Sequence, residues 1–123
     1  MRVLLVEDNK DTLASLAAVL RYEQYDVVTA TDGLLALEMA KAYPPDIVLL
    51  DICLPGIDGY EVARALRKQD PTRPLYIAAI TGYDKAEDKS RAFEAGFDAH
   101  LTKPAHPFAV IRLLEDFESK LKD

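Results

Sequence analysis

The sequence contains a single cysteine, no apolar run long enough to cross a bilayer, and no dense block of lysine and arginine. Because Cys53 has no second cysteine to pair with, an internal disulfide is excluded, and a reducing cytoplasm is the expected location. The N-terminal residues lack the apolar core and cleavage site of a signal peptide, so we expect no membrane insertion. The formal net charge of -6 argues against direct nucleic acid binding.

The residues that are present fit one globular domain spanning residues 1–123. Half of the chain is hydrophobic and 29% is charged, so we expect a single well-buried core and no intrinsic disorder. No low-complexity tract or linker divides the chain.

Short apolar runs without alternation predict strands that are buried on both faces, as in parallel sheets covered by helices. Three such runs occupy residues 3–6, 47–50 and 75–80, and weaker candidates occupy residues 26–30 and 99–101. Between these runs the apolar spacing changes to that of a helix. The predicted helical stripes are Leu13, Leu16, Ala17, Leu20; Gly33, Ala36, Leu37, Ala40; Gly59, Val62, Ala63, Leu66; and Val110, Leu114, Phe117, Leu121.

A further helix is predicted over residues 86–95, from its charged face and the stop at Gly96. Strand and helix therefore alternate five times, which predicts an α/β fold with a five-stranded parallel sheet, doubly wound and flavodoxin-like. Such sheets bind ligands at the carboxyl ends of their strands, beside the point where the strand order reverses.

Polar side chains stand at the predicted carboxyl ends of four of the five strands. Glu7 and Asp8 follow the first strand, and Asp51, Thr81 and Lys103 follow the third, fourth and fifth. Because the carboxyl ends of parallel strands share one edge, we expect these side chains to converge. A structural role as a helix cap is an alternative for Asp8 alone, although Asn9 and Asp11 also offer caps.

Carboxylates gathered without cysteine or histidine suit a hard divalent ion such as Mg2+, with Asp8 favoured over Glu7 as a direct ligand. The cation would offset the repulsion between Glu7 and Asp8. The carboxylate of Asp51 has the chemistry to attack phosphorus and form an acyl phosphate. Thr81 could then hydrogen-bond a phosphoryl oxygen, and Lys103 could neutralise charge.

The stretches "VEDN", "DICLPGIDGYE", "ITGY" and "LTKP", in this order and at these separations, resemble the receiver domain of two-component response regulators. The similarity extends over essentially the whole chain. It implies that Asp51 is the phosphoacceptor and that Asp8 and Asp51 ligate Mg2+. It also implies that Glu7 supports the ion through water and that Cys53 contributes its main-chain carbonyl.

The same resemblance assigns Thr81 and Lys103 to the phosphoryl group and implies a phosphohistidine donor, on a histidine kinase or a histidine phosphotransfer domain. Hydrolysis would later reset Asp51, so the chain would be a self-modifying switch and not an enzyme acting on outside substrates. Phosphorylation would draw Thr81 inward and change an output face that is read by a downstream effector protein or fused domain.

One residue departs from the pattern of the family. His100 stands three residues before Lys103, where most stand-alone regulators resemble one another in carrying Tyr or Phe. In this respect the chain resembles the receivers of hybrid sensor kinases.

Two other functions remain open at this point. One is a Mg2+-dependent phosphohydrolase-like domain, although such sites commonly carry Asp-x-Asp and the sequence here is "DIC". The other is a degenerate receiver that only binds partners, although the site positions retain competent residue types. In the loop after Asp51, Gly56 and Gly59 are expected to permit unusual backbone angles, and His106 is expected to be a solvated surface residue.

Overall fold

The computed structural model describes residues 1–52, 54, 56, 59–69, 75–81, 96–102 and 105–122. Five strands form one sheet, and they are β1 (Arg2–Val6), β2 (Asp26–Ala30), β3 (Ile47–Asp51), β4 (Tyr76–Thr81) and β5 (Ala99–Thr102). Every neighbouring pair is parallel, and the strand order across the sheet is β2-β1-β3-β4-β5. The predicted flavodoxin-like, doubly wound architecture is therefore confirmed.

The helices of the described chain are α1 (Lys10–Tyr22), α2 (Gly33–Ala42), α3 (Gly59–Gln69) and a C-terminal helix (Pro107–Lys122). The helix predicted over residues 86–95 lies outside the described residues. The predicted strand bounds differ from the observed ones by at most one residue at either end, and those of β2 agree at both ends.

The central strands bury both of their faces, which explains why their sequences are apolar without alternation. On β1, Leu4 and Val6 pack with α2 and α3, whereas Val3 and Leu5 pack with α1 and the C-terminal helix. β3 divides its side chains between the same two layers. Since adjacent side chains of a strand point to opposite faces, a strand with helices on both sides is apolar at consecutive positions, as at Val3–Val6 of β1 and Ile47–Leu50 of β3.

The helices present their predicted stripes to these two layers. All four stripe residues of α1 and of α3 are buried, and so are Val110, Leu114 and Phe117 of the C-terminal helix. Leu37 of α2 is only partly buried and packs at the margin of its layer. The side chain of Leu121 lies outside the described part of the chain.

Polar side chains satisfy the free amide groups at the starts of three helices. The side chains of Asn9 and Asp32 accept hydrogen bonds from the amides of Thr12 and Leu35, at 3.0 and 2.8 Å. His106 is exposed, as expected, but its Nδ1 also accepts a hydrogen bond from the amide of Phe108, at 3.2 Å. His106 therefore has a capping role that its sequence context did not suggest.

Among the described residues, no helix has the combination of length and apolar composition that a bilayer-crossing segment needs.

Candidate functional site

The strand register brings three of the predicted acidic residues to the same edge of the sheet. β1 and β3 are neighbours, with Val6 paired to Leu50, so the next positions along the two strands are Glu7 and Asp51. Asp8 follows Glu7 directly. The point at which the strand order reverses lies between β1 and β3, where ligands bind in folds of this kind.

Glu7, Asp8 and Asp51 each place one carboxylate oxygen within 4.8 Å of the other two. Asp51 has no solvent exposure, Glu7 is half-buried and Asp8 is exposed. The cluster is therefore closed on the side of the sheet and open to solvent on the side of Asp8. A molecule arriving from solvent could approach the buried carboxylate from that side.

The start of α1 lies directly after two of these acids. Asn9 caps this helix, with its side chain bonded to the amide of Thr12 and its carbonyl oxygen to the amide of Leu13. Asp8 is therefore not the helix cap, and the structural alternative for this residue does not hold. The amino end of a helix carries a partial positive charge, which favours anionic groups beside it.

The first residue of α3 packs closely against the end of β3, which carries Asp51. The amide of Gly59 donates to the carbonyl oxygen of Ile52 at 3.0 Å. A Cβ atom on Gly59 would lie 2.6 Å from the Ile52 Cα and 2.9 Å from the Asp51 carbonyl oxygen, closer than real Cβ atoms approach. Gly59 therefore provides space, and the expectation of an unusual backbone angle there is wrong. That expectation is confirmed for Gly56, whose φ is 79°.

The remaining predicted site residues are described only in part. Thr81 is the last residue of β4, at the same edge of the sheet, and is paired with Thr102 of β5. His100 lies in β5, opposite Ala79, and is half-buried. Cys53 and Lys103 lie outside the described residues, and so does the side chain of Thr81.

The donor atoms of the cluster suit a hard cation. Within the part of the chain that the structure describes, this is the one group of three or more acidic, histidine or cysteine side chains close enough to share an ion. All three donors are carboxylate oxygens, the ligands that Mg2+ and Ca2+ prefer over sulfur or imidazole. The donor set therefore fits Mg2+, with one fully buried carboxylate and two that are accessible to different degrees.

The structural roles of Gly59 and Arg67 were not predicted from the sequence. The close approach at Gly59 has a weak signal, namely a glycine at the first position of a predicted helix. Arg67 of α3 donates to main-chain carbonyl oxygens 8 and 29 residues further along the chain. No local pattern marks such partners, because the folded chain alone brings them together.

Comparison with known proteins agrees with this geometry. The family model of the response regulator receiver domain matches residues 3–115. The chain therefore belongs to the response regulator receiver domain family, and the resemblance seen in the sequence motifs is confirmed.

Individual relatives and solved structures agree with this assignment. The response regulator PleD of Caulobacter vibrioides is 40% identical over 120 residues, covering 95% of this chain and 26% of PleD. The cell cycle response regulator CtrA of Brucella ovis is 40% identical over 106 residues, covering 86% of this chain and 45% of CtrA. The chain thus spans about a quarter to a half of these relatives.

Among solved structures, the chemotaxis protein CheY4 of Vibrio cholerae superposes with a TM-score of 0.88 at 28% identity. The superposition covers 94% of this chain and 96% of CheY4. The fold of this chain is thus that of the CheY-like receivers.

Proposed function

We propose that this chain is a phosphorylatable receiver of a two-component phosphorelay and that Asp51 is its phosphoacceptor. The observation that carries the proposal is the buried carboxylate of Asp51 beside those of Glu7 and Asp8, at the switch point of a receiver fold. A helix cap or a surface ion pair would not require three carboxylates within 4.8 Å of one another. Residues 1–123 would form this one receiver domain.

Mg2+ is the cation that we assign to the acidic cluster. Asp8 and Asp51 would be direct ligands, Glu7 would support the ion through water, and the main-chain carbonyl of Cys53 would complete the protein ligands. When bound, the ion would neutralise charge on the phosphoryl oxygens.

The reaction we propose is an in-line displacement at phosphorus. A carboxylate oxygen of Asp51 forms the new P–O bond, while the P–N bond to the donor imidazole breaks and its electron pair returns to that ring. Thr81 would hydrogen-bond a phosphoryl oxygen, and Lys103 would balance its charge. Attack of water on phosphorus later releases inorganic phosphate and restores the Asp51 carboxylate. No outside substrate is turned over, so the chain would act as a switch and not as an enzyme in the usual sense.

The proposed chemistry defines the partners. The donor would be the phosphohistidine of a histidine kinase or a histidine phosphotransfer domain in the cytoplasm. The recipient of the signal would be an effector protein or a domain fused to this one, which reads a surface that changes with Thr81 and His100.

The test is incubation with Mg2+ and acetyl phosphate, followed by intact mass measurement. We expect one base-labile phosphoryl group on the wild-type chain and none on Asp51→Asn. Asp26→Asn makes the same chemical change at the start of β2, at the opposite edge of the sheet, and should remain labelled. Equal labelling of Asp51→Asn would refute the phosphoacceptor assignment, and an unlabelled wild-type chain would indicate a degenerate receiver.

A further inference from the structure

The guanidinium of Arg67, in the last turn of α3, binds the chain where β4 and β5 begin. Its Nε and Nη2 atoms donate to the carbonyl oxygen of Gly96, at 3.2 and 2.6 Å. Nη2 also donates to the carboxylate of Asp98, and Nη1 donates to the carbonyl oxygen of Leu75. One side chain thus joins α3 to the residue before β4 and to residues 96–98, which we name the pre-β5 turn.

Asp98 extends this arrangement to β4. The carboxylate oxygen that receives Arg67 also accepts a hydrogen bond from the amide of Ile77, at 2.8 Å. The amide of Asp98 in turn donates to the carbonyl oxygen of Ile77, at 2.7 Å. The pre-β5 turn is therefore bonded to both α3 and β4, through a charged pair and through main-chain groups.

The middle residue of the pre-β5 turn is held by packing. Phe97 is 4% exposed, and its ring meets that of Tyr60 of α3 edge to face, with centroids 6.1 Å apart. Tyr60 is itself buried and follows Gly59, the residue that contacts the strand end carrying Asp51. The first residue of α3 therefore contacts the end of β3, which carries Asp51. Residues near both ends of α3, Tyr60 and Arg67, contact the pre-β5 turn.

β5 is paired with β4 along its whole length, from Ala99 to Thr102. Its amino end is in addition bonded to α3, through the pre-β5 turn. The strand thus begins in a densely bonded turn and ends at the edge where the phosphoryl group would bind. A segment anchored at one end responds to a force at the other by moving about the anchor.

We propose that the hydrogen bonds of Arg67 to residues 75, 96 and 98 hold the pre-β5 turn in place, so that this turn is a fixed pivot for β5 when Asp51 is phosphorylated. The carboxyl half of β5, with His100, changes its environment when Asp51 is phosphorylated, while residues 96–98 keep theirs. Arg67 is a positioning residue in this account and takes no part in phosphoryl transfer. The inference rests on the proposed phosphorylation of Asp51.

The test follows backbone amide shifts in the 15N-labelled chain as Mg2+ and beryllofluoride, a phosphoryl mimic, are added. In the wild-type chain, the shift changes of residues 100–102 should be several-fold larger than those of residues 96–98. In Arg67→Gln, the changes at 96–98 should rise to those at 100–102, because the anchor has been released. Arg64→Gln, at an exposed position of the same helix, is the matched control and should behave as the wild type.

The outcomes separate the two proposals. Shift changes beside Asp51 that are accompanied by equal changes at 96–98 in the wild type would refute the pivot alone. Unchanged behaviour of Arg67→Gln would refute the role of Arg67. No change beside Asp51 would refute the proposed function, and the pivot with it. Should Arg67→Gln fail to fold, Asp98→Asn removes one charge of the pair, and the same rise at residues 96–98 is expected.

Discussion

At the scale of single residues, the acidic cluster combines burial with like charge. Asp51 has no solvent exposure, and carboxylate oxygens of Glu7 and Asp8 lie within 4.8 Å of its own. Like charges at such a distance repel, and burial strengthens the repulsion because less water screens it. A cation placed among these three carboxylates should therefore stabilise the folded chain.

We predict that millimolar Mg2+ raises the thermal stability of the chain and that Asp8→Ala abolishes this effect. The expected gain is about 1–3 kcal/mol when Mg2+ is in large excess over its dissociation constant. Thermal melting with and without the ion measures it. Asp11→Ala removes a neighbouring acid of α1 that lies outside the cluster, and it should retain the Mg2+ effect. If Mg2+ stabilises neither the wild-type chain nor Asp11→Ala, the cluster is not a Mg2+ site.

His100 offers a second prediction at this scale. Its imidazole is smaller and more polar than a phenol ring, so moving it into the interior would cost desolvation that Tyr avoids. We expect His100→Tyr to leave the labelling of Asp51 nearly unchanged, while it enlarges the phosphorylation-dependent shift changes of β5. Mass measurement and amide spectra give the two readings. Loss of labelling would instead give His100 a part in the chemistry, and identical shift changes would make it an ordinary structural residue.

At the scale of elements, the position of α3 is set by contacts at both of its ends. Its first residue fits against Ile52 because Gly59 has no side chain, and its last turn binds residues 75, 96 and 98 through Arg67. The helix therefore links the strand end that carries Asp51 with the opposite edge of the sheet. Because both of its ends are held, α3 should keep its position against the sheet, and with it the position of the pre-β5 turn, when Asp51 is phosphorylated.

We predict that Gly59→Ala weakens both the fold and the phosphorylation of Asp51. The added methyl group would overlap the Ile52 Cα and push α3 outward, at a cost of about 1–3 kcal/mol. The same displacement would misplace Asp51 and slow its labelling by acetyl phosphate. Urea unfolding and the rate of labelling per folded chain measure the two effects. Lys68→Ala, on the exposed face of α3, should change neither appreciably, and normal labelling of Gly59→Ala would contradict the positioning role.

At the scale of the whole molecule, the C-terminal helix is tied to the rest of the chain by aromatic side chains. The ring centroid of Phe117 lies 4.7 Å from that of Tyr76, which is the first residue of β4. The hydroxyl group of Tyr25, a residue between α1 and β2, donates a hydrogen bond to the side chain of Glu118. Burial, this hydrogen bond and the charges of Glu118, Glu115 and Glu23 all raise the pKa of the Tyr25 phenol above its ordinary value.

This pKa shift predicts a loss of stability in alkaline solution. Above about pH 10 the unfolded chain releases the Tyr25 proton while the folded chain retains it, so the unfolded state is increasingly favoured. The contribution is fully present below that pH and is lost as the pH rises. Tyr25→Phe should make the decline of the unfolding free energy shallower by at most about 1.4 kcal/mol per pH unit.

Urea unfolding at a series of pH values between about 9 and 11 tests this prediction. Tyr22→Phe makes the same chemical change on a side chain that is 85% exposed, and it serves as the control. A slope in Tyr25→Phe equal to that of the wild-type chain would contradict the assigned coupling to the C-terminal helix.

The architecture of this chain, and the edge of the sheet at which its acids lie, can be read from local patterns of amino acids. Burial on both faces gives β1 and β3 their continuous apolar runs, and burial on one face gives α1 and α3 their stripes, so both signals can be read locally. Acids placed at the ends of such strands must share an edge if the strands are parallel. The proximity of Glu7, Asp8 and Asp51 follows from that rule, and the strand register accounts for it.

Which of several competent residues takes each structural role depends on contacts that exist only in the folded chain. Asn9 caps α1 although Asp8 and Asp11 carry equally suitable side chains, because the strand end directs Asp8 towards Asp51. Arg67 looks like an ordinary basic residue at the end of a helix until residues 75, 96 and 98 are brought to it. Local sequence patterns indicate burial and periodicity. They do not indicate contacts such as those of Arg67, because its partners become neighbours only when α3 packs against the sheet.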